Sequence, residues 1–314
     1  MDELKALGPL LPGSRIGVLL VHGLTGTPTE MSGVAKELNR YGYTVLCPLL
    51  AGHCVSEAEL LKTTWQDWYA SVERAFLAMS KHVDVVFAGG ISAGAVLSLR
   101  LAQKFPGKVR GLGLCATTLW WDGWAIPKLS FLLPLLLRLP FTKNYRFVEA
   151  WPYGIKNEKL RDRIYTQMMG GDPSEAGFSG TPGRSLRELW RLVDIVKEKL
   201  PGTTTPALMV HASDDDIASI RNALYIRENI GGPSRLVPMY ESYHMITIDQ
   251  ERRQVGFEAS RYFFEQLDGA ERAELFSYAV NEKLIKALSD VKPYKEPSRQ
   301  ELLQGLSKRE RWIG

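Results

Sequence analysis

Apolar and polar positions along this chain repeat with two alternating periods. The run Ile16-Gly17-Val18-Leu19-Leu20-Val21 is almost continuously apolar, the pattern of a strand buried on both faces of a parallel sheet. A polar, glycine-bearing turn at 23–29 follows, and Met31, Val34, Ala35 and Leu38 then recur on one face of a helix. Thr29 is the expected N-cap of that helix. The unit returns as strand 44–47, helix 64–80, strand 83–88, helix 92–105 and strand 109–115. It resumes as strand 207–211, helix 217–229, strand 235–240 and a last helix from about 249 to 267. Such alternation predicts βαβ units, an α/β fold with a mostly parallel central sheet flanked by helices.

Between Cys115 and Ala207 lie 91 residues, far more than the roughly dozen a βαβ crossover requires. Residues 119–201 are therefore expected to form an inserted helical cap, leaving 1–118 and 202–267 as the core and 268–314 as a helical extension broken around Pro293 and Pro297. The insert holds Trp120, Trp121, Trp124, Trp151 and Trp190, five of the chain's eight tryptophans, and the apolar stretch 129–137. Its clearest helix is 185–200, where Leu186, Leu189, Trp190, Val193 and Val196 recur at helical spacing. Cap-to-core packing is the expected use of these side chains. Transient docking on lipid by 131–139 with Trp120 and Trp121 is the alternative.

Composition narrows the partners more than the fold. A net charge of +4 over 314 residues leaves no footprint for nucleic acid. The stretch 129–137 is too short to span a bilayer core of ~30 Å. The start Met1-Asp2-Glu3 lacks a secretory signal's features, so a cytoplasmic protein is expected. Cys47, Cys54 and Cys115 fit neither a disulfide framework nor a zinc pattern, and read as reduced, buried thiols.

The chemistry is concentrated at Gly90-Ile91-Ser92-Ala93-Gly94, between an apolar strand and a helix that begins at once. This is a G-x-S-x-G nucleophile elbow in its strand–turn–helix setting. A serine needs a base, and the base an orienting carboxylate. His244 follows the strand 235–240, on the sheet edge where Ser92 emerges. The carboxylate comes from Asp214-Asp215-Asp216 after the strand 207–211: Asp215 is preferred, Asp214 is the alternative, and Asp216 reads as a helix N-cap. Oxyanion donors are assigned to the backbone N–H groups of Leu24 and Ala93, the latter at a helix N-terminus. His22 reads as structural.

At these residues the chain resembles the α/β-hydrolases, and among them is similar to bacterial carboxylesterases and monoacylglycerol lipases. The carriers are His22-Gly23-Leu24-Thr25-Gly26-Thr27-Pro28, Gly52-His53, Thr64-Trp65-Gln66-Asp67-Trp68, the elbow, and Ser242-Tyr243-His244-Met245-Ile246-Thr247-Ile248-Asp249. The resemblance covers roughly 15–267. It implies a Ser-Asp-His esterase with an acyl pocket under a small helical cap, working without metal or cofactor. The chain departs from these relatives in having Ala93-Gly94-Ala95 after the serine, and Cys54 where they carry glycine. The expected substrate is a small hydrophobic ester of acyl or monoacylglycerol type, with Trp120, Trp121, Trp124 and Leu132 lining the pocket; the protein is expected to be a monomer or homodimer. Alternatives are a thioesterase, amidase or C–C hydrolase acting on a bulky intermediate, or a ligand-binding protein on a hydrolase scaffold.

Overall fold

The computed structural model describes residues 1–127, 130, 132–136, 145–148, 151–170, 177–289 and 294–303. Its strands in chain order are β1 (Leu10–Leu11), β2 (Ile16–Val21), β3 (Thr44–Leu46), β4 (Val85–Ile91), β5 (Val109–Cys115), β6 (Arg146–Val148), β7 (Gly180–Pro182), β8 (Ala207–Ala212) and β9 (Ser234–Met239). Seven of them form one sheet in the order β1-β3-β2-β4-β5-β8-β9. Every pairing in it is parallel except β1 with β3. Two-residue β1 is too short to leave a periodic signal.

Strand β4 runs three residues beyond the expected 83–88, through Gly89 and Gly90. Glycine ordinarily weakens a strand, but a Cβ on Gly89 would collide with Gly113 O of β5, so close backbone approach requires its absence here. The sheet is buried on both faces. On one, Ile16, Val18, Leu20, Phe87, Leu208 and Val210 pack with helices Ser32–Arg40 and Arg252–Glu265. On the other, Leu19, Val21, Val86, Ala88 and Met209 pack with helices Trp65–Met79 and Ala93–Lys104.

Two local expectations are corrected. The first turn after β2 is a 3-10 helix, Pro28–Met31, whose N-cap is Thr27, its side chain accepting Thr29 N–H at 3.1 Å. Pro28 at N1 moves the start two residues ahead of Thr29. The insert is not wholly helical either, because β6 and β7 pair as an antiparallel ribbon beside helices Leu133–Leu136 and Glu158–Met169. The expected helix 185–200 is Gly183–Lys199. Its buried Leu186, Leu192, Val193 and Val196 join the core cluster of helix Ala93–Lys104, so it extends the layer over the sheet. Part of the apolar stretch 129–137, Phe131 included, lies outside the described residues.

The extension packs against the core. Helices Gly269–Ser277 and Glu282–Ser289 bury Leu275 and Leu288 in the core beneath Arg252–Glu265. Arg110 joins Glu271 through two hydrogen bonds of 3.0 and 2.8 Å. Farther on, Tyr294 Oη–H donates to Leu236 O at 3.1 Å, and Glu296 Oε1 accepts Leu236 N–H at 3.1 Å. Leu236 lies on β9, the edge strand, whose outward backbone groups would otherwise be open to pairing. Residues 304–314 lie outside the described part of the chain, as does Pro293.

Because Leu275 is fully buried, Leu275→Ala is expected to destabilise the whole fold by about 2–5 kcal/mol. Urea denaturation followed by tryptophan fluorescence measures this; a loss confined to a separate, early transition would mean that the extension is an independent unit.

Candidate active site

The elbow after β4 orients the rest of the site. Ser92 has φ 54° and ψ −117°, a conformation that costs an L-residue about 1–3 kcal/mol and persists only where the surroundings enforce it. The glycines on either side provide that enforcement. A Cβ on Gly90 would collide with Val21 O and stand 2.7 Å from Gly94 C; one on Gly94 would collide with Val21 O and stand 2.5 Å from His22 O. Thr25, Ala116 and Tyr153 also have positive φ, and Cys54 takes φ 62°. The sequence departure at Cys54 thus falls on a left-handed position.

Ser92 Oγ is hydrogen-bonded to Thr118 Oγ1 at 3.0 Å. Thr118 Oγ1 donates its own proton to Ala116 O at 3.2 Å, so the proton between the two hydroxyls is the serine's. His244 stands in the loop after β9. Its Nδ1 meets Asp215 Oδ2 at 2.9 Å and Oδ1 at 3.0 Å. Asp215 Oδ1 also accepts Ile217 N–H and Ala218 N–H at 2.9 and 2.8 Å, and His211 Nε2 lies 3.3 Å from Oδ2. It is Asp215, not Asp214, whose carboxylate meets His244; the Asp214 carbonyl accepts the Trp124 indole N–H at 3.1 Å.

The reading of Asp216 as an N-cap is corrected. Helix Arg221–Asn229 begins four residues later than expected, because the Asp215 carboxylate claims the N–H groups of Ile217 and Ala218, and Asp122 Oδ1 claims that of Ser219 at 2.8 Å. Asp216 instead accepts Gly154 N–H at 2.9 Å and His244 N–H at 3.2 Å. It ties the cap to the histidine loop.

Charges in this cluster set one another. Burial opposes ionisation of Asp215, but the His244 charge and hydrogen bonds from His211 and His244 hold its carboxyl well below the usual range. Burial likewise opposes protonation of His244, yet Asp215, with Asp216 and Glu30 adding, raises the imidazole above its ordinary value. Asp216 is pushed up to about 6 by burial and by the adjacent Asp215 charge. With Nδ1–H directed at Asp215, the neutral ring offers Nε2 as the proton acceptor.

Beneath the glycine loop, His22 is held by two bonds that define its tautomer. Nε2 accepts Leu50 N–H at 3.3 Å, so Nδ1 carries the proton donated to Gly23 O at 2.9 Å. Burial pushes its pKa down to about 3, and it stays neutral. His53 packs edge-on against both His22 and Trp68, with centroids 5.1 and 6.0 Å apart. Leu24 follows Gly23 on the cavity wall, and Ala93 N–H, in the first turn of the helix beside Ser92, donates to no backbone carbonyl among the described residues.

Leu24, Ser92 and His244 line one cavity of about 1320 Å³. Its apolar wall includes Ile126, Phe147, Ile164, Phe178 and Leu189. Of the four expected pocket residues, Trp121 lines it, stacked edge-on with Trp190 at 5.5 Å. The others are corrected. Trp120 packs on Tyr225 at 5.3 Å, Trp124 on Tyr243 at 5.3 Å, and Leu132 is exposed outside the lining. Composition placed these residues in the insert without showing which way each would face. Phe147 and Phe178 escaped notice because they lie in and next to a short ribbon without helical period. Among the described residues no group of three or more His, Cys, Asp or Glu is placed to hold a metal ion.

Residues 13–251 match the model of the family described as serine aminopeptidase, S33. The chain belongs to this family of α/β-hydrolases. It is 30% identical over 250 residues to a thermostable monoacylglycerol lipase of Bacillus sp. (strain H-257), covering 79% of this chain and 90% of that one. It is 27% identical over 268 residues to a carboxylesterase of Bacillus subtilis (strain 168), covering 82% and 95%. A solved structure from work on the metagenome-derived lipolytic enzymes LipS and LipT superposes with TM-score 0.69 at 27% identity, covering 82% of this chain and 97% of that one. The monoacylglycerol lipase of Paleococcus ferrophilus shares the fold, with TM-score 0.65 at 19% identity over 86% and 98% of the two chains. Kinship with a carboxylesterase and a monoacylglycerol lipase supports a carboxylic ester hydrolase.

For this hydrolase, Asp215→Asn is expected to lower kcat by about 10⁴-fold and Asp214→Asn by less than about tenfold, read from initial rates on a chromogenic ester. With His244 as the expected base, which must be neutral to act, activity is expected to fall as pH drops through its pKa. Since that pKa is raised, the acid limb of kcat/KM should lie above the ordinary imidazole value of 6.5. A limb at or below it would contradict the Asp215–His244 pairing.

Proposed function

We propose that this hydrolase cleaves hydrophobic carboxylic esters of the acyl or monoacylglycerol type through a Ser92–His244–Asp215 triad and an acyl-enzyme. The observation that carries the reading is the buried carboxylate–imidazole pair opening on the same cavity as a strained serine at a strand-to-helix elbow. Ser92 Oγ turns from Thr118 to His244, which takes its proton as Oγ attacks the ester carbonyl. The imidazolium formed is stabilised by Asp215. Negative charge on the carbonyl oxygen is met by the N–H groups of Leu24 and Ala93, each such donor contributing roughly 3 kcal/mol in serine hydrolases. His244 then protonates the departing alcohol, and a water activated by the same histidine releases the acid.

The apolar wall suits an acyl chain, and the mixed polar lining near Thr27, Asn157 and Gln250 suits a hydroxylated leaving group. Kinship with a monoacylglycerol lipase favours the same division. The cap also exposes Leu135, Val148, Trp151 and Met169. These large apolar side chains support transient contact with lipid aggregates. Among the described residues no helix is long and apolar enough to cross a membrane.

Hydrolysis of p-nitrophenyl esters from acetyl to palmitoyl tests the reaction. Turnover should peak at one chain length and fall by at least about 10⁴-fold in Ser92→Ala. Equal rates in both proteins would end the proposal. Co-sedimentation with phosphatidylcholine vesicles should occur for the wild type and weaken in a Val148→Ser, Trp151→Ser double variant. If the wild type stays in the supernatant at low salt, the lipid contact is wrong.

A further inference from the structure

Gly23 is held from both sides, and one of its partners is a carboxylate with no part in the triad. His22 Nδ1–H donates to Gly23 O at 2.9 Å, while Gly23 N–H donates to Glu30 Oε2 at 2.8 Å. The two bonds clamp two consecutive peptide planes. In the second, Gly23 C=O and Leu24 N–H belong to one trans unit and point opposite ways. Pinning that carbonyl on His22 therefore turns Leu24 N–H away from His22, and among the described residues it donates to no other group. A second glycine makes room for the same carboxylate, since a Cβ on Gly26 would overlap Glu30 Oε1. Glu30 also lines the cavity with Ser92 and His244.

We propose that Glu30 is a positioning residue of the ester-hydrolysing site: its carboxylate holds the Gly23–Leu24 turn ready for the oxyanion. This rests on the ester-hydrolase reading given above. Burial pushes the Glu30 carboxyl up to about 7, against the Gly23 hydrogen bond and the His244 charge that pull it back. Glu30 thus changes charge where His244 must be neutral to act. Other charged groups line the same cavity: Asp216 beside His244, Lys36 on the helix after Glu30, Arg252, and Arg146, Lys159 and Arg163 from the cap. His22, on the far side of Gly23, is neutral across this range.

Protonated Glu30 is a weaker acceptor for Gly23 N–H than the carboxylate. In the wild type, acidification therefore protonates the base and loosens the turn together. Glu30→Gln keeps an oxygen acceptor but has no charge at any pH. Its kcat/KM acid limb should move to lower pH, because His244 loses one of the charges that raise its pKa. Its plateau should stay within about threefold of wild type. Glu30→Ala, lacking the acceptor, should lose about tenfold or more in plateau kcat with KM changed by less than about threefold.

The experiment is the pH profile of p-nitrophenyl ester hydrolysis by wild type and both variants, with thermal unfolding recorded for each. A Glu30→Gln profile that superimposes on the wild type, or a Glu30→Ala plateau equal to it, overturns the proposal while leaving the triad standing. If Glu30→Ala does not fold, Glu30→Gln decides alone. Absence of Ser92-dependent turnover in the wild type at every chain length would instead remove the ester-hydrolase reading, and this proposal with it.

Discussion

The lack of a side chain on Gly94 is the constraint on which the rest of this site depends. It lets helix Ala93–Lys104 start directly against the carbonyls of Val21 and His22 at the end of β2. That contact brings the loop after β2 beside the turn after β4, so Leu24 and Ser92 share a wall. A methyl group there would separate the two by the width of an atom, and the serine, the loop and the helix start would no longer converge. Close packing leaves few ways to absorb such a shift. The strain at Ser92 is sustained because β2, β4, β5 and the helix all hold it, with Ser92 N–H itself donating to Cys115 O at 3.0 Å.

Around that contact the site is organised by buried charge. Asp215 remains a carboxylate in a buried setting because two backbone N–H groups and two histidines surround it. Removing any one partner leaves a charge without full compensation, which is costly in low-dielectric surroundings. Asp216, one residue on, responds in the opposite direction and is pushed up to about 6. Adjacent carboxyls thus divide the work. One carries the charge that orients His244, and the other bridges the cap at Gly154 to the histidine loop.

The periphery serves this centre indirectly. Tyr294 and Glu296 cover the outward backbone of β9, the strand that leads into the His244 loop. Leu275 and Leu288 thicken the core below helix Arg252–Glu265, which begins soon after that loop. The extension therefore braces the edge of the sheet that carries the histidine.

Periodicity determined the alternation of strands and helices, because a residue's face along a strand or helix is a local property of spacing. It also placed Ser92, Asp215 and His244 at the carboxyl ends of their strands, since a parallel sheet directs all those ends to one edge. What spacing could not decide was direction within the insert, where Trp121 reaches the cavity and Trp120 turns to Tyr225. Nor could it show that Asp216 supports His244 rather than a helix, or that Glu30 folds back seven residues onto Gly23. These outcomes rest on contacts between segments distant in sequence or folded back on a turn. Only packing in three dimensions, and the need to satisfy each buried polar group, selects among them.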